Sequence, residues 1–299
     1  FATKKHAFLI MAHHQPELLK RLINYLDDER NDIYLHIDRK STELRPEDFR
    51  SITRSANLFL TERLSVHWGG YSQIRCELLL LKEAARRRYA YYHLISGVDV
   101  PLVTQDEFHA FFERIDGKEI VGFARPAISG DELDRFNTYH FFQESIGRNR
   151  SALVFAERAS LRLQHLLRVS RAKRYRRKYG VSVFQKGTNW FDITDGLARY
   201  VLSREEEIRK MYRWTRCCDE VFLQTLVANS PYFDRLFYRG YGSYLSSLRY
   251  VDWKRGSPYV FRDRDYEEII ASKCLFARKF DLSVDGRIVE RLYRRLSGG

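Results

Sequence analysis

The chemistry-bearing residues of this 299-residue chain fall in a few short strings. Asp219-Glu220 lies between Cys217-Cys218 and the apolar Val221-Phe222. A carboxylate there can take the proton of a hydroxyl within hydrogen-bond reach. Equally, two acids suit the start of a helix, whose partial positive charge they offset. Arg278-Lys279 sets two cations side by side, and both residue types hydrogen-bond phosphate oxygens. Asp38 can accept hydrogen bonds from a ligand's hydroxyl or N–H groups, or cap its own turn. Asp99 stands alone, with Gly97 where a second acid would complete a pair for a divalent cation, so it offers a metal a single carboxylate. Asp263-Arg264-Asp265 does form such a pair, but Tyr266-Glu267-Glu268 follow it and read as the charged start of a helix. Cys76, Cys217, Cys218 and Cys274 have no Cys-x-x-Cys spacing, which suggests neither zinc nor a disulfide framework.

Elements able to position these residues follow from the hydrophobic pattern. Residues 7–11 form an apolar run, and Pro16 opens a stretch with Leu18, Leu19, Leu22, Ile23 and Leu26 at helical spacing. Strands are expected at 33–37, 57–60 and 91–95, with a helix over 72–88 before the last of them. Strands alternating with helices predict an α/β fold with a largely parallel central sheet covered on both faces. Ligands of such sheets bind beyond the carboxyl ends of the strands, which points to His13, His14, Asp38 and the turn 96–99. A further apolar segment at 190–193 follows the turn 186–189, and a helix is expected to carry residues 219–227. With no repeat and no flexible linker, one domain over 1–299 is expected. The domain divides into residues 1–125 and a decorated part at 126–299, the latter with a basic helical insertion at 148–178.

Lys and Arg number 52 against 39 Asp and Glu, a formal charge of +13, with 44% hydrophobic residues to fill a core. The surplus favours phosphates, acidic glycans, nucleic acid or anionic lipid as partners. Residues 148–178 read as one basic amphipathic helix, whose arginine stems either cover apolar surface or dock on anionic lipid or an acidic glycan. No apolar stretch approaches the roughly 18 to 20 residues that span a bilayer.

Several strings taken in order resemble the family of core-2/I-branching β-1,6-N-acetylglucosaminyltransferases and peptide O-xylosyltransferases. They are Ile10-Met11-Ala12-His13-His14, His36-Ile37-Asp38, His67-Trp68-Gly69-Gly70-Tyr71-Ser72 and Leu94-Ile95-Ser96-Gly97-Val98-Asp99-Val100-Pro101-Leu102. In the second half, Gly187-Thr188-Asn189-Trp190-Phe191, Asp219-Glu220-Val221-Phe222-Leu223-Gln224-Thr225, Tyr250-Val251-Asp252-Trp253 and Phe276-Ala277-Arg278-Lys279-Phe280 continue the match. Cys217-Cys218 departs from it, since the family usually has a proline there.

The resemblance implies a GT-A type nucleotide-diphospho-sugar transferase fold and an inverting glycosyltransferase. Such an enzyme would move N-acetylglucosamine or xylose from a UDP-sugar to a glycan hydroxyl without a metal or other cofactor. Glu220 takes the position of the general base. Ala12, Asp38 and Asp99 map to the donor side, and Arg278 and Lys279 to the diphosphate; a further family cation before Val260-Phe261 falls nearest Arg255. Trp190, Asp252 and Trp253 map to the acceptor side. The low cysteine count leads to the expectation of a bacterial-type cytoplasmic enzyme. It would act on a glycan or lipid-linked glycan and sit peripherally on the inner face of an anionic membrane. Nucleic-acid binding is the alternative suggested by charge and aromatics, but no known recognition motif accompanies it. Sugar-nucleotide binding without catalysis is another.

Overall fold

The computed structural model describes residues 5–128, 130–146 and 153–298. Its central sheet has the order β3-β2-β1-β4-β7-β6, where β1 is His6–Ala12, β2 Asn31–Ile37, β3 Asn57–Leu60, β4 Tyr91–Ser96, β6 Ile120–Val121 and β7 Phe191–Thr194. The pairings β3-β2, β2-β1 and β1-β4 are parallel; β4-β7 and β7-β6 are antiparallel. A second sheet of order β5-β9-β8 is built from β5 Val100–Pro101, β8 Arg249–Val251 and β9 Phe276–Arg278.

The apolar run of β1 divides between the two faces of the sheet because successive side chains of a strand point opposite ways. Ala7 and Leu9 enter one core with the helix Ser72–Ala84, whereas Phe8, Ile10 and Ala12 enter the other with the helices Pro16–Leu26 and Gln105–Arg114. Pro16 occupies the first turn of its helix, where its missing N–H costs nothing. The smaller sheet packs its own core of Val100, Phe261, Ala277 and Phe280 against the helix Gly286–Leu296.

Three expectations need correction. The helix expected over 219–227 begins at Phe222, and Glu220 lies in the preceding 3-10 turn, Cys218–Glu220. The basic insertion is two helices, Leu153–Leu166 and Arg171–Tyr179, because Arg168 adopts a left-handed φ of 51° between them; its expected start at 148–152 lies outside the described residues. The helix expected over 72–88 stops at Ala84. Asp263-Arg264-Asp265 does open a helical segment: a 3-10 turn leads into the helix Tyr266–Ala271. Among the described residues, no helix is long and apolar enough to cross a membrane.

Candidate active site

The carboxyl ends of β1, β2 and β4 lie side by side, and the loops that follow them converge. Asp38 N–H donates to Ala12 O at 2.9 Å, and Gly97 N–H to Met11 O at 2.9 Å. Gly97 must be glycine, because a Cβ would stand 2.9 Å from the Ala12 methyl. Asp38 is nearly buried and caps its own turn, its Oδ1 accepting from Lys40 N at 2.8 Å. His13 and His14 stack at 4.1 Å between ring centroids. Burial, then the neighbouring His14, pushes His13 down to about 4, against the pull of Asp38. His14 is lowered by burial and then by the charge of Lys279. Gln15 ties the same loop to the C-terminal segment, Nε2 donating to Asp281 Oδ1 at 2.7 Å.

The smaller sheet explains how Asp99 and Arg278 meet. β5 runs antiparallel to β9 with Val100 opposite Ala277, so Asp99, just before β5, faces Arg278, the last residue of β9. Arg278 Nε stands 3.5 Å from Asp99 Oδ1, and Asp99 Oδ2 accepts Ser96 N–H at 3.0 Å. Asp99 is fully buried; burial raises its pKa, and the guanidinium works the other way. The Arg278 guanidinium also lies 4.4 Å from the centroid of Trp190, a cation–π contact. Trp190 precedes β7, which runs antiparallel to β4 with His93 opposite Asp192, so the indole reaches the carboxyl end of β4.

Glu220 is tied by its backbone to the turn 186–189, the segment that leads into Trp190. Gly187 N–H donates to Glu220 O at 2.8 Å, and a Cβ on Gly187 would strike Gly122 O at 1.7 Å, so the turn closes only around glycine. Gln224 Nε2 clamps the same turn by donating to Thr188 O at 2.6 Å. The Glu220 side chain is 37% exposed, its Oε2 3.2 Å from Lys186 Nζ. Lys186, Arg135, Arg216, Phe136 and Val221 line a shallow cleft with it. The Asp219 side chain turns inward. Its Oδ2 accepts from Gln73 Nε2 at 2.8 Å, and burial together with the Glu220 charge pushes its carboxyl up to about 7. Glu77, buried beneath the site, is raised by burial and by Asp219. Around these acids the 67–70 string wraps closely, Gly69 O accepting Cys217 N–H at 2.8 Å.

The remaining sequence candidates lie in the turn that follows β8, whose Val251 pairs with Arg278. Asp252 Oδ1 accepts from Lys254 N at 2.7 Å and from Arg255 N at 3.0 Å. Arg255 bonds the carboxylates of Asp252, Asp265 (2.8 Å) and Glu268 (2.6 Å), and stacks on Tyr259 at 4.4 Å. Trp253 is 67% exposed. The structure therefore brings Ala12, Asp38, Asp99, Trp190, Arg278 and Lys279 to the strand ends, with Glu220 on the neighbouring turn, and spends Arg255 on carboxylates.

Sequence reasoning missed Lys186, Glu77 and a buried ladder below the site. Arg249 bonds Asp192 through two nitrogens at 2.7 and 3.0 Å, Asp192 bonds His93 at 2.8 Å, and His93 meets His6 at 2.8 Å. Glu77 left one signal: it shares the apolar face of its helix with Ile74 and Leu81. Among the described residues, no group of three or more His, Cys, Asp or Glu side chains is arranged to hold a metal ion.

A family model described as Core-2/I-Branching enzyme matches residues 6–270. Xylosyltransferase 2 of Rattus norvegicus is 25% identical over 313 residues, covering 98% of this chain and 34% of that protein. An N-acetyllactosaminide beta-1,6-N-acetylglucosaminyl-transferase of Mus musculus is 24% identical over 317 residues, 97% of this chain and 72% of that protein. The chain thus spans about a third of the length of the xylosyltransferase it matches. A crystal structure of mouse xyloside xylosyltransferase 1, apo form, covers 92% of this chain and 97% of its own at 10% identity, with a TM-score of 0.37, too low to bear on the fold. The α/β architecture and the match over residues 6–270 agree: the chain belongs to the Core-2/I-branching enzyme family of glycosyltransferases.

Proposed function

We propose that the chain transfers a sugar, N-acetylglucosamine or xylose, from a UDP-sugar to a hydroxyl of a free or lipid-linked glycan by a single inverting displacement. The observation that carries this reading is the meeting of Arg278, with Lys279 beside it in the chain, and Trp190 at the strand ends, with a part-exposed Glu220 whose carbonyl is bonded to the turn that leads into Trp190. As the acceptor oxygen bonds to the anomeric carbon, its proton passes to the Glu220 carboxylate. The bond from that carbon to the diphosphate breaks on the opposite face, and UDP leaves with the electron pair. Negative charge grows on the departing diphosphate, and fixed cations in place before the reaction stabilise it without reorganising.

Arg278 and Lys279 are the cations for that task. Asp99 serves as a partner that holds Arg278, its oxygens turned to Arg278 and to the Ser96 amide, which supports a scheme that needs no divalent ion. Asp38 and Ala12 receive the nucleoside at the β1 and β2 ends. Asp219 and Glu77, buried behind Glu220, position the turn without touching substrate.

A screen of UDP-sugars for UDP release, with and without glycan acceptors, tests the reading. Acceptor-stimulated release from UDP-N-acetylglucosamine or UDP-xylose, surviving EDTA, is expected. Strict dependence on manganese or magnesium would make Asp99 a metal ligand. Absence of turnover with every UDP-sugar, alongside salt-sensitive oligonucleotide binding, would transfer the case to nucleic acid.

A further inference from the structure

The helix Leu153–Leu166 is inverted relative to an ordinary surface helix: it buries polar residues and exposes apolar ones. Glu157 and Gln164, seven residues apart and therefore on one face, point into the protein. Glu157 Oε1 lies 2.9 Å from His140 Nδ1, while Gln164 accepts from Tyr139 N at 2.6 Å and donates to Tyr139 O at 2.9 Å. Those polar contacts fix which way the helix faces. On the outward side Phe155, Ala159, Leu163 and Leu166 fall in a stripe at intervals of four, four and three residues. Phe155 is 73% exposed, Leu163 55%, Leu166 79% and the adjacent Leu167 66%.

Charge around that stripe is mostly positive; His165 faces one exposed acid, Asp134, at 3.9 Å. Arg158 and Arg162 flank it in the helix, and Arg168 follows at the break. The next helix, Arg171–Tyr179, anchors itself through buried Arg171, which donates to Thr138 O at 2.8 Å and Trp214 O at 3.1 Å, and through Ala172 and Tyr175. It exposes Lys173, Arg174, Arg176, Arg177 and Lys178. The one acid between residues 153 and 180 is the buried Glu157.

We propose that this face docks on an anionic membrane surface, with Phe155, Leu163, Leu166 and Leu167 entering the acyl boundary and the arginines and lysines at the lipid phosphates. A bilayer interface supplies hydrocarbon and phosphate within about 5–10 Å of depth, the two chemistries this face presents together. An acidic glycan would satisfy the cations and leave the leucines and the phenylalanine in water. A second copy of the same face would set cation against cation. Docking through this surface is independent of which sugar the site transfers.

Flotation of the full chain with vesicles of phosphatidylcholine, alone or mixed with phosphatidylglycerol, tests the assignment, with thermal unfolding as the control for folding. Binding is expected only where phosphatidylglycerol is present, and it weakens with added salt. The double variant Phe155→Ser, Leu166→Ser should bind anionic vesicles about tenfold more weakly at an unchanged unfolding midpoint. Lys173→Glu with Arg177→Glu should weaken binding by more than roughly 20-fold. Failure of the wild type to float with anionic vesicles would overturn the proposal, as would undiminished binding by the Phe155→Ser, Leu166→Ser variant. Binding of heparin without vesicle binding would assign an acidic glycan instead, and a dimer lost in the same variant, again without vesicle binding, would assign a second copy.

Discussion

Arg278 and Arg255 both stand in the C-terminal quarter of the chain, both face an aspartate and both stack on an aromatic ring, yet they are in opposite electrostatic positions. Among the described residues Arg278 has one carboxylate neighbour, the fully buried Asp99, at 3.5 Å, and it rests on Trp190 at the strand ends. Arg255 is surrounded by Asp252, Asp265 and Glu268 on the surface. A guanidinium has five donors in a planar fork, and one distant carboxylate leaves most of that fork for a phosphate, whereas three carboxylates consume it. The comparison teaches that an arginine's fitness as a diphosphate ligand depends on how few acids already hold it.

Substitutions can break this contrast. Arg278→Ala should have the largest effect. It strands the buried Asp99 charge, costing about 3 kcal/mol of stability in urea unfolding, and it abolishes measurable UDP affinity in calorimetry. Arg278→Lys should recover much of the stability and little of the affinity, because an ammonium keeps the charge and loses the planar fork. Lys279→Ala should reduce kcat/KM for the donor by roughly 10- to 100-fold, the worth of one charge-assisted bond to phosphate. Arg255→Ala should change it by less than about threefold, since exposed ion pairs are worth little. If Arg255→Ala matched Lys279→Ala in steady-state kinetics, the reading of Arg255 as a structural cation would be wrong.

Periodicity made the strands at 33–37 and 57–60 and the helix opening at Pro16 legible, because the first strand and the helix bury apolar residues, and the second strand packs half-buried Leu58 and Leu60 on one core and Phe59 on the other. Side-chain environment was far less legible. Arg255 looks like any other arginine until Asp265 and Glu268 arrive from ten and thirteen residues away. The Arg249-Asp192-His93-His6 ladder draws on four distant segments, so no local pattern announces it. Sequence also shows that residues 153–166 are amphipathic without showing which side the protein keeps; Glu157 and Gln164 settle that through partners at 139 and 140. The position of Glu220 in a 3-10 turn, ahead of the helix expected to carry it, follows from its carbonyl accepting the Gly187 amide, another tertiary contact.

The central claim is that Glu220 accepts the acceptor's proton. Its most direct test is to compare Glu220→Gln with the wild type in donor turnover and, by calorimetry, in UDP affinity. The amide has nearly the shape of the carboxylate and cannot act as a base at neutral pH. Turnover should fall by about 10²- to 10⁴-fold with UDP affinity unchanged. Turnover close to the wild-type rate would contradict the account and remove Glu220 from the reaction.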